Sequence, residues 1–313
     1  KYAAEISFSC VLSEKRVYDK IKKEQRRLIK TKIREDECMK KMYMFGSMLA
    51  LALLFCLMPS RTAQAANPQQ ADLTGSYYTN YDITGDGVND TIRIRKRQVA
   101  SGVYDGFYMS VNGQEVIHLL HNYYFYEDHV KLYTLQDGTV IVYIYLQGDN
   151  LDGPCGLYVY GNGRLNQVLN FQTFFKYGMH NTGEVLKVSG NRLKVKFFSM
   201  SQAFAGIDMK YTYQYKNGRL IPVTKYGKVK VYKKKPKKPA TARKSFWLYK
   251  SATSSRKKIR VNKGQKFRVE KCYVNGSQVR FKVKLTNGRN GWVKSPKRFL
   301  TKGPLIKETM YAG

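Results

Sequence analysis

The residues with the clearest potential for chemistry form an aspartate-rich loop early in the chain. The loop places oxygen ligands at its positions 1, 3, 5 and 9, with a glycine at position 6. Ca²⁺ takes about six to eight hard oxygen ligands, and this spacing wraps a short loop around one ion while the glycine permits the sharp turn. The sequence therefore predicts a Ca²⁺ site formed by Asp82, Thr84, Asp86, Val88 and Asp90.

The loop differs from an EF-hand in two respects. Arg93 stands at position 12, where an EF-hand has a bidentate glutamate, and a strand pattern follows in place of a helix. The pattern resembles the Asp-rich loops of extracellular integrin-type (FG-GAP/VCBS) repeats, which also lead into a strand. That resemblance implies calcium binding. The alternative is an ordinary Asp/Gly-rich turn before a strand.

Catalytic chemistry finds little support in the sequence. The chain has four histidines, of which His118 and His121 are three residues apart. On a strand that spacing points the two side chains to opposite faces, which argues against shared metal ligation. Cys155 lies in a Gly-Pro-Cys-Gly segment typical of a turn. We therefore predict that the protein is not an enzyme. A cell-wall hydrolase with an unrecognised active site is an alternative.

The elements that carry these residues have the pattern of β-strands. Between residues 72 and 225, apolar and polar residues alternate over strand-length runs. Asn-Gly pairs separate several of the runs, and both residues accept the positive φ that a two-residue hairpin turn requires. The pattern predicts an all-β fold, with an antiparallel hairpin meander that closes as a sheet, a sandwich or a small propeller. The predicted strands include Thr91–Arg97, Gly106–Val111, Val130–Leu135, Thr139–Leu146, Gly156–Tyr160, Leu193–Phe198 and Met209–Tyr215, with Asn-Gly turns at 112–113, 162–163 and 217–218.

The positive charge of the chain is concentrated near its C-terminus. Residues 226–302 contain 26 Lys or Arg and one acidic residue, a net of +25, whereas residues 67–225 contain 15 basic and 13 acidic residues, a net of +2. Such a concentration of one sign creates a field that attracts a polyanion. Within it, residues 226–244 combine prolines with a lysine run, which predicts an extended, solvated linker. Its expected polyanion-binding residues are Lys233, Lys234, Lys235, Lys237 and Lys238.

Residues 245–300 have the pattern of a small barrel. Five short strands with basic residues at alternate, outward positions suffice to enclose an apolar interior. Lys263-Gly264 and the closing Gly291-Trp292-Val293 resemble a bacterial Src-homology-3-type domain, over about residues 245 to 296. That resemblance implies attachment to the bacterial cell wall through an aromatic-lined groove. The groove residues would be Tyr249, Tyr273 and Trp292; the alternative places Trp292 in the barrel core.

A leader is predicted before the β-rich region. Met39-Lys-Lys, the apolar run Met42–Met58 and an Ala-x-Ala site at residues 63–65 are the three parts of a secretory signal peptide. An uncleaved signal anchor is the alternative, because the run of about 17 residues is at the lower limit for spanning a bilayer. Residues 1–38 read as an upstream extension that is not part of the protein, and residues 301–313 as a tail.

These patterns predict a non-catalytic protein outside the cell membrane, secreted or held at the cell surface. The basic barrel and linker are expected to bind an anionic polymer of the envelope, peptidoglycan or teichoic acid. An extracellular nucleic-acid-binding protein is an alternative, because a basic surface with exposed aromatic residues also suits nucleic acid. Contact with the membrane is expected only through an uncleaved signal anchor.

Overall fold

The computed structural model describes residues 70–149, 153–276, 278–296 and 304–307 together with Glu24, Arg27 and Thr309, excepting the side chains of residues 121–123. The chain divides into two compact units, residues 1–62 and 63–313. In the first unit, Glu24 and Arg27 are helical. The predicted leader at residues 39–66 lies outside the described residues, as does most of the predicted extension before it. Within the described part of the chain, no helix is both long enough and apolar enough to cross a bilayer.

The second unit begins with an antiparallel sheet of eight strands. The strands follow the chain in the order β2-β3-β4-β5-β6-β7-β8, and β1 pairs with β5. A single helical turn, α1 (Phe171–Phe174), ends this sheet, and Asn170 caps it by accepting the backbone N–H of Thr173. The strands are β1 (Gln70–Asp72), β2 (Tyr77–Tyr81), β3 (Asp90–Ala100), β4 (Val103–Val111), β5 (Gln114–Thr134), β6 (Val140–Gly148), β7 (Cys155–Gly161) and β8 (Arg164–Asn170).

The remaining strands form a second antiparallel sheet. Its order is β16-β15-β19-β18-β17-β13-β11-β10-β9, with β12 paired to β11 and β14 to β17. The strands are β9 (Met179–Ser189), β10 (Arg192–Ser201), β11 (Ala205–Lys216), β12 (Arg219–Pro222), β13 (Gly227–Val231), β14 (Ala240–Thr241), β15 (Phe246–Tyr249), β16 (Lys257–Val261), β17 (Lys266–Asn275), β18 (Gln278–Leu285) and β19 (Asn290–Lys294). The prediction of an all-β fold is confirmed.

The Asn-Gly turns join the hairpins as predicted. At Asn112-Gly113, which joins β4 to β5, the φ angles are 52° and 82°. The pairs that begin at Asn162 and Asn217 have the same signs and join β7 to β8 and β11 to β12. Positive φ at both central residues gives the turn the twist of the flanking strands, which fixes the hairpin register.

Two hydrophobic cores lie on opposite faces of β5 and β6. Leu132 and Val142 belong to a core shared with β3 and β4. Tyr133 and Tyr143, their neighbours in sequence, belong to a larger core that continues through the second sheet. Because alternate residues of a strand point to opposite faces, both faces of these two strands are buried. The larger core also contains Phe281 of β18, so the apolar interior is continuous from the first sheet into the second.

The segment 226–244 differs from the predicted solvated linker. Gly227–Val231 forms β13, which pairs with β11 on one side and with β17 on the other. Val229 and Val231 pack against the larger core, whereas Lys230 between them is exposed. The alternation of valine and lysine is a strand pattern of period two, and it outweighs the prolines that follow it. Strand β13 therefore joins the two predicted domains into one sheet.

The five strands predicted within residues 245–300 are present as β15 to β19. Strands β17, β18 and β19 form a meander, and β15 pairs with both β19 and β16. Gly291 lies where β19 approaches β15, and a Cβ atom there would come within 2.8 Å of Leu248 Cβ. A barrel of Src-homology-3 type remains a prediction.

Candidate polyanion-binding face

A row of lysines crosses the second sheet at right angles to its strands. Lys196 of β10 lies directly opposite Lys210 of β11, which lies opposite Lys228 of β13. Lys228 lies opposite Lys271 of β17, and Lys271 lies opposite Lys282 of β18. We call these five residues the lysine row. Neighbouring strands are about 4.8 Å apart, so the row extends for about 19 Å.

The lysine row lies on the face of the sheet that points away from the core. The residues next to its members in sequence, such as Phe197, Tyr211, Cys272 and Phe281, are buried in the larger core. Gly227 also faces inward, since a Cβ atom there would lie 2.3 Å from the ring of Tyr211. Strand alternation therefore directs all five lysines to the opposite, outer face.

Acidic residues do not compensate most of the row. Lys196, at the β9 end, forms an ion pair with Glu184. Among the described residues, none of the other four lysines has a carboxylate partner within 4.0 Å. Like charges placed directly opposite each other destabilise a sheet. The folded chain therefore carries an uncompensated line of positive charge.

The row continues into a group of aromatic side chains. Lys282 lies opposite Trp292 of β19, and Trp292 lies opposite Tyr249 of β15. The Trp292 ring centroid is 5.1 Å from that of Tyr226, which is 6.1 Å from the ring of Tyr273. We call these four residues the aromatic end. The structure thus brings together the three aromatic residues that the sequence predicted, and it adds Tyr226.

Trp292 does not belong to the large core. It is 8% exposed and packs in a separate small cluster with Ala252 and Tyr273. Its neighbour Val293, on the other face of β19, is the residue that joins the large core. The indole is therefore covered on the outer face of the sheet by other members of the aromatic end.

Cations surround the aromatic end. Arg280 Cζ lies 5.0 Å from the Tyr249 ring centroid and Lys294 Nζ lies 4.8 Å from it, while Lys225 Nζ is 5.4 Å from the ring of Tyr273. Burial lowers the pKa of the Arg280 guanidinium, which donates a hydrogen bond of 3.2 Å to the carbonyl of Ser254. Partly desolvated cations at aromatic faces interact more strongly with those faces than fully hydrated cations do.

The lysines of the predicted linker occupy two different environments. Lys234, Lys235, Lys237 and Lys238 are exposed, as expected for a polyanion-binding arm. Lys233 is buried, and its Nζ donates to the carbonyls of Lys235 and Pro236 at 2.7 and 2.9 Å and also to that of Lys238. Its assignment as a polymer-binding residue stays a prediction, and it would require the ammonium group to leave these carbonyls.

The sequence does not identify the lysine row, because cross-strand register is a property of the folded sheet. A weaker signal is present, since basic residues alternate with apolar ones in Lys228-Val-Lys230 and again in Arg280-Phe-Lys282-Val-Lys284. That alternation predicts outward-pointing charge on each strand. It does not predict which lysines lie opposite one another.

The aspartate-rich loop is closed by hydrogen bonds. Asp90 is 1% exposed, and its Oδ2 accepts the backbone N–H groups of Ile83 and Thr84 at 2.6 and 2.9 Å. Its Oδ1 accepts from the side-chain amide of Asn112 at 2.6 Å and from the Thr84 hydroxyl at 3.3 Å. A carboxylate has about four lone-pair sites, so Asp90 is saturated as an acceptor in this geometry.

The other aspartates of the loop also accept backbone hydrogen bonds. Asp82 accepts the backbone N–H groups of Gly85 and Gly87 at 2.6 and 2.8 Å, one on each oxygen. Asp86 Oδ1 accepts the N–H of Val88 at 2.8 Å. Within the described residues, no three His, Cys, Asp or Glu side chains lie close enough to one another to hold a metal ion. Calcium binding here remains a prediction, and it would require the Asp90 hydrogen bonds to rearrange.

The cysteines and histidines do not form a catalytic group in the described part of the chain. Cys155 and Cys272 are free and buried, and burial raises the pKa of each thiol to about 12. Both thiols are therefore protonated near neutral pH and are poor nucleophiles. His118 is exposed and His129 is half-buried, and they lie beside Glu115 and Glu127 at 3.5 Å in each case. The side chain of His121 lies outside the described residues.

Comparison with known proteins gives no family for this chain, since no protein-family model, no curated protein and no solved structure matches it.

Proposed function

We propose that this chain is a non-catalytic binding protein, secreted or held at the surface of a bacterial cell, that attaches to an anionic envelope polymer. The observation that carries the proposal is the lysine row, of which four members have no carboxylate partner among the described residues. A polymer such as teichoic acid or peptidoglycan would supply the missing negative charge. Released counterions would drive its binding, as they do for other polyanions.

The aromatic end gives the face a second mode of contact. Aromatic side chains supply large, rigid, amphipathic surfaces that bury apolar area while their polar atoms stay hydrated. A polymer that follows the lysine row would meet Tyr226 and Tyr249 at its end, because both adjoin Trp292, which continues the same cross-strand line. The resemblance of residues 245–296 to a wall-targeting Src-homology-3-type domain favours an envelope polymer, and the predicted secretory leader favours a site outside the membrane.

The experiment compares two variants that lose the same charge. The row variant changes Lys210, Lys228, Lys271 and Lys282 to Gln, which keeps the aliphatic stems. The matched variant makes the same change at the exposed lysines Lys176, Lys216, Lys263 and Lys307. In a pull-down on purified sacculi, with and without teichoic acid, the row variant should lose most of its binding, at least ten-fold. The matched variant should bind like wild type.

A nucleic-acid function is the second candidate, favoured by the aromatic end. Aromatic faces beside cations also stack on the bases of single strands. A labelled single-stranded oligonucleotide, used as a competitor in the same pull-down, separates the two candidates. Displacement of the protein from sacculi by a small excess of oligonucleotide would favour nucleic acid, whereas retention on the sacculi supports the envelope polymer.

A further inference from the structure

A cleft opens where β9, the edge strand of the second sheet, passes β5 and β6 of the first. Its volume is about 620 Å³. The two sheets are held together there by the Tyr143 hydroxyl, which donates to the carbonyl of Gly183 at 2.9 Å. Aromatic side chains form much of its wall, among them Tyr133, Tyr145, Phe198 and Tyr232.

The lysines that line the cleft already have carboxylate partners. Lys131 Nζ lies 3.4 Å from Asp72, and Lys196 forms its ion pair with Glu184. These two pairs cancel in charge. The remaining carboxylate in the cleft is Asp208, which lies directly opposite Lys230 of β13.

Asp208 is buried with half of its acceptor capacity unused. The residue is 5% exposed, and its Oδ2 accepts a hydrogen bond of 2.9 Å from the Tyr232 hydroxyl. Its Oδ1 is also buried, and no described residue donates to it. The nearest lysine across the sheet, Lys230, instead places its Nζ 5.1 Å from the Tyr232 ring centroid. A buried carboxylate oxygen without a donor is costly, so a donor that reached Oδ1 after a turn of the Asp208 side chain toward the cleft would relieve that cost.

The phenol of Tyr232 is affected by the charge of Asp208. Burial, the hydrogen bond to Asp208 and the charges of Asp208 and Glu184 together raise the pKa of its phenol to about 12. Burial, the largest of these causes, disfavours a cation as well as a phenolate, whereas the negative charge of Asp208 disfavours the phenolate and attracts a cation. The aromatic ring of Phe198, whose centroid is 5.9 Å from that of Tyr232, adds a face on which a cation can rest.

We propose that this cleft binds a primary ammonium group, which donates an N–H hydrogen bond to Asp208 Oδ1 while its carbon substituent packs against Phe198 and Tyr232. An unpaired oxygen needs a donor, and a quaternary ammonium has none. A hard divalent cation needs several oxygen ligands, and the cleft offers one carboxylate without a lysine partner. The cleft adjoins the lysine row at Lys196, but the inference does not depend on the proposed polymer-binding function.

Ethanolamine and choline form a matched pair of probes, because they share a skeleton and differ in whether the nitrogen carries N–H donors. Each is titrated into the wild-type protein at constant ionic strength and followed by NMR chemical shifts. We expect ethanolamine to shift resonances of the cleft, with binding at least ten-fold tighter than that of choline. The Asp208→Asn variant should weaken ethanolamine binding at least ten-fold, whereas Asp105→Asn, which removes the same charge beside Arg97, should leave it unchanged.

Equal binding of choline and ethanolamine to the wild-type protein would overturn the proposal, and this comparison needs no variant. Unchanged ethanolamine binding by a folded Asp208→Asn protein would overturn it as well. The row variant retains Lys196 and the cleft, so it should bind ethanolamine like wild type. Failure of the polymer proposal would then leave this result intact.

Discussion

Among single residues, Trp292 and Phe281 show how the two faces of one sheet differ. Both residues are buried, but Trp292 packs in the small outer cluster with Tyr273 and Ala252, whereas Phe281 lies in the large core. The two side chains point to opposite faces of adjacent strands. The indole therefore lies on the proposed binding face, and the phenyl ring contributes to stability.

The first prediction compares the two aromatic residues. Phe281→Ala should lower the free energy of unfolding by about 3–5 kcal/mol, the usual cost of removing a fully buried phenylalanine. Trp292→Leu should cost less and leave the protein folded, while weakening retention on sacculi. Urea unfolding and the sacculus pull-down measure the two effects. If Trp292→Leu lowered the free energy of unfolding as much as Phe281→Ala does, the indole would be a residue required for folding.

The second prediction concerns calcium. If Asp82 and Asp86 hold an ion, Ca²⁺ should raise the melting temperature, because a ligand that binds only the folded state stabilises it. Asp86→Ala should remove that increase. Asp90→Asn should destabilise the protein in chelator as well, since it alters a carboxylate that accepts several buried hydrogen bonds. Equal melting temperatures in Ca²⁺ and in chelator would identify the loop as an ordinary turn.

At the scale of elements, β13 connects the two halves of the second sheet. Its inward residue Gly227 lies beneath the ring of Tyr211, whose hydroxyl donates to the carbonyl of Cys272 on β17 at 3.2 Å. A side chain at this position would separate β11 from β17. The strand therefore depends on a residue without a Cβ atom.

The third prediction follows from that contact. Gly227→Ala should lower the free energy of unfolding by about 1–3 kcal/mol, the range for overpacking a core. The matched control is Gly161→Ala, where the new Cβ would meet its nearest described atom at an ordinary 3.5 Å. Chemical denaturation of both variants makes the comparison. A Gly227→Ala protein as stable as the Gly161→Ala protein would contradict the described pairing of β13.

The fourth prediction concerns the cost of the lysine row in the absence of a polymer. The lysines stand about 4.8 Å apart, well inside the Debye length of about 10 Å at 0.1 M salt but not that of about 3 Å at 1 M. Wild type and the matched variant should therefore gain stability between these two salt concentrations. The row variant should gain less stability as the salt concentration rises. At the lower salt concentration it should be more stable than wild type. Thermal melts test both expectations, and parallel salt responses of all three proteins would refute them.

At the scale of the whole molecule, the sequence predicts strands and turns better than it predicts how sheets join. Residue alternation and the positive φ preferred by Asn-Gly are local properties, so the all-β fold and hairpins such as that at Asn112 follow from the sequence alone. The pairing of Lys228 with Lys271 joins segments that are distant in sequence. The lysine run after Val231 favours a solvated linker, so the sequence does not predict this pairing. Three residues of the aromatic end, Tyr249, Tyr273 and Trp292, are predicted from a resemblance. The fourth, Tyr226, and the lysine row can be identified only once the strands are paired.

The pairing of β13 also determines which part of the chain can be used to test polymer binding. A segment of residues 226–302 would remove Lys196 and Lys210 from the row and would leave β13 without its partner β11. We therefore expect such a segment to bind more weakly than the intact chain. Experiments on polymer binding need the whole second sheet, because its strands carry the entire lysine row.

The salt dependence of binding to sacculi shows whether the lysine row is the surface that binds the polymer. Affinity for a polyanion falls linearly with the logarithm of salt concentration, and the slope decreases by roughly one for each lysine contact that is lost. We predict a steep slope for wild type and the matched variant, and a slope shallower by up to about four for the row variant. Equal slopes for the row variant and the matched variant would contradict the claim that the lysine row is the surface that binds the polymer.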